Sequence, residues 1–255
     1  MPCVRRSMTL AKPRLALLHG WGMHPGVFDP LAERLAADFD IMLPCLPGHG
    51  GTPPVATGTL ESWARALADA LPADTVLVGW SLGGQVALRV ALQWPTRVAR
   101  LVLLATTPRF VAAPDWAAGL AAGELAAFGD ALLREPRATL LRFLSLQTRG
   151  APNARTLLAA LRRGVQAAPP PDPGALAQGL DLLLTTDLRS AWPTLVQPVQ
   201  IIHGGRDALT PPGAARWLAQ TRPGARLALL DAAAHAPHLS HPDAVAAIIR
   251  GFANG

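Results

Sequence analysis

Ser81 has the setting of a catalytic nucleophile. It is the central residue of the segment 79–83, which reads Gly-Trp-Ser-Leu-Gly and has the G-x-S-x-G spacing. An apolar segment, 75–78, precedes the motif, and residues 85–93 after it fit an amphipathic helix. A serine on such a sharp turn projects its hydroxyl from the edge of a sheet, whereas the alternative is a serine that only caps the helix. We predict that Ser81 is a nucleophile.

Asp207 and His235 are the residues best placed to activate this serine. A serine hydroxyl needs a base that takes its proton and an acid that orients the base. Where the nucleophile lies on this kind of turn, the chain order is serine, acid, histidine. Asp207 follows the apolar segment 199–203 and a glycine-rich turn, and His235 lies in the loop after the apolar segment 227–230. We predict Asp207 as the acid and His235 as the base.

Other residues compete for both roles. Asp187 and Asp231 are rival acids, although Asp231 is near enough to His235 in sequence to be a turn carboxylate. Chain order disfavours the histidines that precede Ser81. The weaker candidates for the base are His24, His49, His203, His238 and His241. We expect His203, at the end of an apolar segment, to form structural hydrogen bonds instead.

Backbone amides could stabilise the oxyanion that an attacking serine creates. One is the amide of Leu82, directly after the nucleophile. The second is the amide of Trp21, in the loop 19–22, where Gly20 and Gly22 permit a tight turn. Each such donor contributes about 3 kcal/mol in the transition state. We predict these two amides as the oxyanion hole, and a glycine-rich loop without that role is the alternative.

The elements that must position these residues follow a regular pattern. Apolar segments bounded by turn residues predict buried strands at 15–19, 41–45, 75–79, 101–105, 199–203 and 227–230. Amphipathic segments predict helices at 31–37, 60–71, 85–93 and 244–252. The alternation of the two predicts a doubly wound, mostly parallel α/β sheet.

The alternation is interrupted between residues 108 and 189. This region has no convincing strand pattern and consists of helical segments separated by prolines and glycines. We interpret it as a helical cap inserted into a core formed by residues 1–107 and 190–255. The proline-rich run 169–174 is expected to be a turn between cap helices, because proline cannot continue a helix. A linker between two domains is the weaker alternative.

Composition excludes several classes of function. Apolar residues make up 50% of the 255 residues and charged residues 16%, as in a folded globule. The net charge is +6, and arginine supplies all of the basic side chains except Lys12, so either a basic surface or a compositional bias explains it. Neither a nucleic-acid motif nor a membrane-spanning segment is present in the sequence. The N-terminal residues lack the apolar stretch of a secretory signal, so we expect a cytoplasmic protein.

Two cysteines, Cys3 and Cys45, are too few for a disulfide framework or a metal site. They also provide no metal-ligand spacing, so we expect no metal. We also expect a monomer.

Six segments carry a resemblance to a known family, namely 18–22, 46–50, 79–84, 143–148, 186–189 and 233–237. They resemble the carboxylesterases of biotin synthesis, which are cytoplasmic α/β hydrolases without a cofactor. The resemblance implies hydrolysis of the methyl ester of pimeloyl-acyl carrier protein, with release of methanol. Trp80 beside the nucleophile, the segment 143–148 and the Ala-His-Ala-Pro loop at 234–237 are its most discriminating features.

The resemblance also implies which residues bind the substrate and its carrier. Residues for the acyl chain are Trp21, Trp80, Leu82, Phe143, Leu144 and Gln147. Arginines on the cap would engage the acidic carrier protein, and they are Arg142, Arg155, Arg162 and Arg163. A solvated helix face is the alternative explanation of these charges. Ala159 stands where the family often has a basic residue, so the carrier contacts depart in detail from the family pattern.

Two other classes of function remain open from the sequence. A different capped hydrolase, such as a general carboxylesterase, a lactonase or a thioesterase, would use the same fold and the same three residues. A ligand receptor on this fold would bind without turnover, and the complete set of Ser81, Asp207 and His235 argues against it.

Overall fold

The apolar segments of the sequence form one parallel sheet. The computed structural model describes residues 12–167 and 169–255, and within them the sheet has six strands in the order β2-β1-β3-β4-β5-β6. The strands are β1 (Arg14–Leu18), β2 (Asp40–Met42), β3 (Thr75–Trp80), β4 (Val98–Leu104), β5 (Val199–Gly204) and β6 (Arg226–Leu230). The second strand is shorter than the predicted 41–45, since Pro44 has no amide to donate to a strand ladder.

Helices connect the strands and cover the sheet. They are α1 (Asp29–Leu35), α2 (Leu60–Ala70), α3 (Leu82–Gln93), α4 (Ala122–Arg134), α5 (Pro136–Gln147), α6 (Ala154–Ala167), α7 (Pro173–Thr185), α8 (Pro212–Thr221), α9 (Pro237–Ser240) and α10 (Pro242–Ala253). Short 3-10 helices lie at Pro25–Phe28, Pro95–Arg97 and Trp192–Thr194. The predicted doubly wound α/β fold is confirmed.

The strand order places a switch point between β1 and β3. The chain passes from β1 outward to β2, and then returns to add β3 on the other side of β1. These two central strands are in register, with Leu18 opposite Gly79, so their carboxyl ends meet at one edge of the sheet. Ligands of open α/β sheets bind in the crevice that such a reversal opens. Both the loop 19–22 and Ser81 therefore begin at this crevice.

Four helices, α4 to α7, lie in the chain between β4 and β5. The proline-rich run is non-helical through Asp172, but Pro173 and Gly174 already belong to the first turn of α7. Proline is tolerated there because the first amide of a helix needs no partner within the helix. Asp172 caps α7, since its carboxylate accepts a hydrogen bond from the amide of Ala175 at 2.9 Å.

The two ends of this helical segment are joined where they leave the sheet. The amide of Leu188 donates to the carbonyl of Pro108 at 2.9 Å. Beside this bond, the Asp187 carboxylate pairs with Arg109 at 2.9 Å and with Arg189 at 2.7 Å. These contacts hold the entry and the exit of the segment together.

Cys45 is a half-buried free thiol, whereas Cys3 and the rest of residues 1–11, where a secretory signal would begin, lie outside the described residues. No helix in residues 12–167 and 169–255 is both long enough and apolar enough to cross a membrane.

Candidate active site

Ser81 lies on a strained turn between β3 and α3. Its φ of 56° and ψ of −121° are rare for a residue with a side chain, and such backbone strain typically marks a functional site. Glycines allow the turn to be this tight, since a Cβ on Gly79 would lie 2.5 Å from the Gly83 carbonyl oxygen. A Cβ on Gly83 would collide with the carbonyl of His19. The sequence thus folds into the predicted elbow, with Ser81 at its tip.

The structure brings Ser81, His235 and Asp207 into one hydrogen-bonded chain. The Ser81 hydroxyl oxygen lies 3.0 Å from Nε2 of His235. On the other side of the ring, Nδ1 of His235 lies 2.8 Å from Oδ2 of Asp207. Since a carboxylate only accepts, Nδ1 carries the proton, and Nε2 is free to accept from the hydroxyl. This arrangement can deprotonate Ser81 as it attacks a carbonyl carbon.

Asp207 is buried but fully supplied with hydrogen-bond donors. Its Oδ1 accepts from the amides of Leu209 and Thr210, both at 2.9 Å, and its Oδ2 also accepts from the Thr210 hydroxyl at 2.7 Å. Burial opposes ionisation, but the proximity and hydrogen bond of His235, aided by His203 and the Thr210 amide, outweigh it and lower the pKa of the Asp207 carboxyl. The acid therefore stays ionised and orients the His235 ring.

The backbone amides of Trp21 and Leu82 belong to the two segments that meet at Ser81. Neither amide donates a hydrogen bond within the part of the chain that the structure describes. The loop that carries Trp21 lies directly against the elbow, because a Cβ on Gly20 would be 3.2 Å from Cβ of Ser81. Two free amides at a serine nucleophile are what an oxyanion hole requires.

Two buried histidines hold this loop in place. Nδ1 of His49 donates to the Pro47 carbonyl at 2.8 Å, and its Nε2 accepts from the Gly22 amide at 3.2 Å. His19 similarly accepts from the Leu46 amide through Nε2 at 3.2 Å. Burial lowers the pKa of His49, and it lowers the pKa of His19 to about 3. Both rings are therefore neutral and can act as fixed acceptors.

Two hydrogen bonds hold the backbone of His235, one to its carbonyl and one from its amide. Its carbonyl accepts from the indole of Trp80 at 2.8 Å, and its amide donates to the carbonyl of Gln147 at 3.2 Å. His238 packs edge-on against Trp80, with ring centroids 4.6 Å apart. The loop that carries the base is thus fixed by β3 on one side and by α5 on the other.

Comparison with known proteins identifies the family. Residues 15–248 match the model of the alpha/beta hydrolase family. The chain is 48% identical over 250 residues to a pimeloyl-acyl carrier protein methyl ester esterase of Aromatoleum aromaticum. The aligned region covers 96% of this chain and 99% of the relative. It is 45% identical to the protein of the same name from Nitrosomonas europaea, covering 91% and 92% of the two chains. The chain belongs to the alpha/beta hydrolase family, among its pimeloyl-acyl carrier protein methyl ester esterases.

Solved structures agree with this fold. The esterase EaEST from Exiguobacterium antarcticum superposes with a TM-score of 0.86 at 20% identity, covering 96% of this chain and 94% of that one. A thermophilic esterase from Thermogutta terrifontis has a TM-score of 0.80 at 25% identity, covering 96% and 90%. The alpha/beta hydrolase architecture is therefore shared over nearly the whole chain.

The other predicted substrate residues of this alpha/beta hydrolase are all buried. Phe143 packs edge-on against Trp21 with ring centroids 4.8 Å apart, so it reaches the oxyanion loop. Gln147 is buried, and its side-chain oxygen has no hydrogen-bond partner among the described residues. Trp80 and Leu144 are also buried, and the Trp80 indole contacts the His235 loop. Their roles toward an acyl chain are part of the proposal below.

The predicted carrier-binding arginines are exposed on two helices. Arg142 lies on α5 and the other three, Arg155, Arg162 and Arg163, lie on α6. None of the four forms an ion pair with a residue in the described ranges.

The rival acids and bases do not enter the chain of hydrogen bonds at Ser81. Asp187 is paired with arginines at the neck of the helical segment, and Asp231 is exposed and forms no ion pair with described residues. His203 is a hydrogen-bonding residue, as expected, and its Nε2 donates to the Thr210 carbonyl at 2.7 Å. His24 accepts from the amide of Gly26 at 3.1 Å.

Sequence analysis missed the contribution of Thr210. Its hydroxyl donates to Asp207 and lies 3.2 Å from Nδ1 of His235. The spacing offered a signal, because an aspartate often accepts from the amides two and three residues later, which places residue 210 beside the carboxylate. In contrast, the contacts of His49 and Gln147 join distant parts of the chain and left no local pattern.

Proposed function

We propose that this protein is a serine carboxylesterase that hydrolyses the methyl ester of pimeloyl-acyl carrier protein and releases methanol, a step of biotin synthesis. The observation that carries ester hydrolysis is the Ser81, His235 and Asp207 chain, with contacts of 3.0 and 2.8 Å. The names of relatives up to 48% identical support the choice of substrate.

The first half of the reaction transfers the acyl group to the enzyme. Ser81 Oγ attacks the ester carbonyl carbon while His235 Nε2 takes its proton. The amides of Trp21 and Leu82 bind the oxyanion that forms on the carbonyl oxygen. His235 then gives its proton to the departing methoxide, so methanol leaves and an acyl-serine ester remains. Asp207 stabilises the imidazolium throughout.

The second half returns the enzyme to its starting state. Water replaces methanol, and His235 removes a proton from it as its oxygen attacks the acyl-serine carbonyl. Collapse of the second tetrahedral intermediate breaks the bond to Ser81 Oγ, which regains its proton from His235. The product is the free terminal carboxylate of the acyl chain, still attached to its carrier.

Residues 108–189 act as the cap of this enzyme, over a core of residues 1–107 and 190–255. A mainly apolar pocket of about 530 Å³ lies among α5, α6 and α7, and Leu140 and Leu176 are in its wall. These leucines also adjoin the oxyanion loop, since Leu140 contacts Gly22 and the Leu176 carbonyl accepts from Trp21. The pocket suits an alkyl chain. We place Phe143, Leu144, Gln147 and Trp80 between this pocket and Ser81, because Phe143 packs on Trp21 and both Trp80 and Gln147 contact the backbone of His235.

The cap supplies the surface for the carrier protein. From Pro136 to Ala167 the sequence contains six arginines and no acidic residue. Arginine forms bidentate bonds to carboxylates and phosphate, which an acidic carrier and its phosphate-containing arm would present. Arg142, Arg155, Arg162 and Arg163 form the core of this surface. The enzyme acts in the cytoplasm, in line with the resemblance described above, and it acts as a monomer.

Turnover of matched substrates tests the proposal. The purified enzyme is incubated with pimeloyl-carrier protein methyl ester and with free pimeloyl methyl ester, and methanol release is measured. We expect kcat/KM to be higher for the carrier-linked ester. Ser81→Ala should remove activity on both substrates and leave thermal unfolding unchanged. Ester hydrolysis that survives in Ser81→Ala would refute the nucleophile, and equal kcat/KM for the two esters would refute the carrier as substrate.

A further inference from the structure

We infer that helix α7 sets the position of the oxyanion amide, so that Gly179 is a positioning residue for Trp21. The inference rests on the proposed function only in that the Trp21 amide binds the oxyanion. It does not depend on which ester is the natural substrate. It gives the cap a part in the chemical step as well as in binding.

Trp21 has its backbone in the core and its side chain in the cap. Its backbone directly follows Gly20, which packs against Ser81, while its indole Nε1 donates to the carbonyl of Leu176 on α7 at 2.8 Å. The edge of its ring packs against Phe143 of α5 at 4.8 Å between centroids. The side chain is almost fully buried, with 1% of its surface exposed. These contacts fix the position of the Trp21 side chain, and they therefore also fix the position of its backbone amide.

Gly179 provides the space in which the indole lies. A Cβ at this position would be 2.7 Å from Cδ1 and 3.2 Å from Nε1 of Trp21, and 3.1 Å from Cη2 of Trp63, so its closest contact is with Trp21. Carbon atoms pack at about 3.5 to 4.0 Å, so a methyl group would force the two apart by about 1 Å. Either Trp21 or α7 must move, and either movement shifts the oxyanion loop relative to the cap.

A second bond ties the cap to the base. The carbonyl of Gln147, at the end of α5, accepts from the amide of His235 at 3.2 Å. Cap helices therefore contact both catalytic loops, one through the Trp21 indole and one through the His235 amide. Because oxyanion donors work only when they are preorganised, a shift in the cap should lower kcat even for an ester too small to fill the cap pocket.

The test uses p-nitrophenyl acetate and two alanine variants. Gly179→Ala places a methyl group against Trp21, whereas Gly129→Ala places one on α4, where it would meet only Leu180 at an ordinary 3.6 Å. We expect Gly179→Ala to lower kcat on the order of tenfold to hundredfold with little change in KM, since misplacement by about 1 Å has effects of that size. Gly129→Ala should keep the wild-type kcat.

Two measurements separate positioning from loss of fold. Titration of Ser81 with a fluorophosphonate gives the concentration of competent enzyme, so that kcat is expressed per active serine. The same Gly179→Ala change is then made together with Trp21→Val, which has no δ atom for the methyl group to meet. In that background Gly179→Ala should lower kcat far less than in the wild type, because the closest contact, with Cδ1 of Trp21, is gone and only the contact with Trp63 remains.

Two results would overturn the inference. One is a kcat per active serine in Gly179→Ala equal to that of Gly129→Ala. The other is an equal loss with and without the Trp21 indole. Failure of the proposed function has a different signature, since wild-type enzyme would then hydrolyse p-nitrophenyl acetate but show no preference for the carrier-linked ester.

Discussion

The acid of the active site depends on a hydroxyl that lies three residues after it. Thr210 donates to Oδ2 of Asp207, the same oxygen that accepts from His235. The sequence could predict Ser81, Asp207 and His235, since each follows a predicted strand in the required order. It could not assign Thr210 or His49, because the value of their hydrogen bonds depends on which groups the tertiary fold brings near them.

Replacement of Thr210 by valine should therefore lower turnover. The variant removes one hydrogen bond to a charged group, which contributes about 1.5 kcal/mol or more, and this corresponds to about a tenfold fall in kcat. Thr210→Ser keeps a hydroxyl and should recover most of the activity. Thr185→Val, which loses a bond from its hydroxyl to the Asp181 carbonyl on α7, is the matched control. Similar kcat values for the valine and serine variants at 210 would contradict this role.

Among the helices and strands, the exact start of a helix was the feature that the sequence pattern did not predict. Periodicity predicted a helix at 85–93, but α3 begins at Leu82, so its first free amides lie directly under the nucleophile. The glycines at 83 and 84 conceal this start, because they resemble a loop in sequence. They are required by close packing, since a Cβ on Gly83 would meet His19. The helical segment between β4 and β5 was predictable as helical, whereas its neck was not.

The neck of the cap should make stability depend on acid pH. Hydrogen bonds from Arg189 and Arg109 lower the pKa of Asp187 from 3.8 to about 2. A carboxyl whose pKa is lowered by folding stabilises the folded state above its unfolded pKa and loses this effect as the pH falls through its folded pKa. The side chain is 33% exposed, so we discount the stabilisation to about 1 kcal/mol at neutral pH.

Urea unfolding of Asp187→Asn measures this contribution. We expect the free energy of unfolding to be about 1 kcal/mol below that of the wild type at pH 7, and the difference to shrink as the pH falls from about 4 toward 2. Asp69→Asn is the control, because its exposed pair with Arg65 within one helix contributes about 0.5 kcal/mol or less. A difference that stayed constant between pH 7 and pH 3 would assign the loss to packing and not to the charge.

Over the whole molecule, the longest series of arginines without an intervening carboxylate in sequence lies on α5, α6 and the loop between them. The net charge of +6 is spread over 255 residues, yet α5, α6 and the loop between them have six arginines without one carboxylate. Composition alone left a basic surface and a compositional bias as equal explanations. In the structure, Arg142, Arg155, Arg162 and Arg163 are all exposed, as the proposed carrier surface requires.

Charge reversal on the cap should act through the carrier protein alone. Arg142→Glu with Arg155→Glu is expected to lower kcat/KM for the carrier-linked ester about tenfold at low ionic strength, since it replaces attraction to an acidic partner by repulsion. The loss should shrink at about 0.5 M salt, where charges more than about 5 Å apart are largely screened. Hydrolysis of p-nitrophenyl acetate should be unchanged, because neither arginine contacts Ser81, His235 or Asp207. Arg226→Glu changes an exposed charge at the amino end of β6, whereas the active site lies at the carboxyl ends of the strands. This variant should leave kcat/KM for both substrates unchanged. An equal loss on both esters, or a loss on the carrier-linked ester that salt does not reduce, would rule out electrostatic docking at this surface.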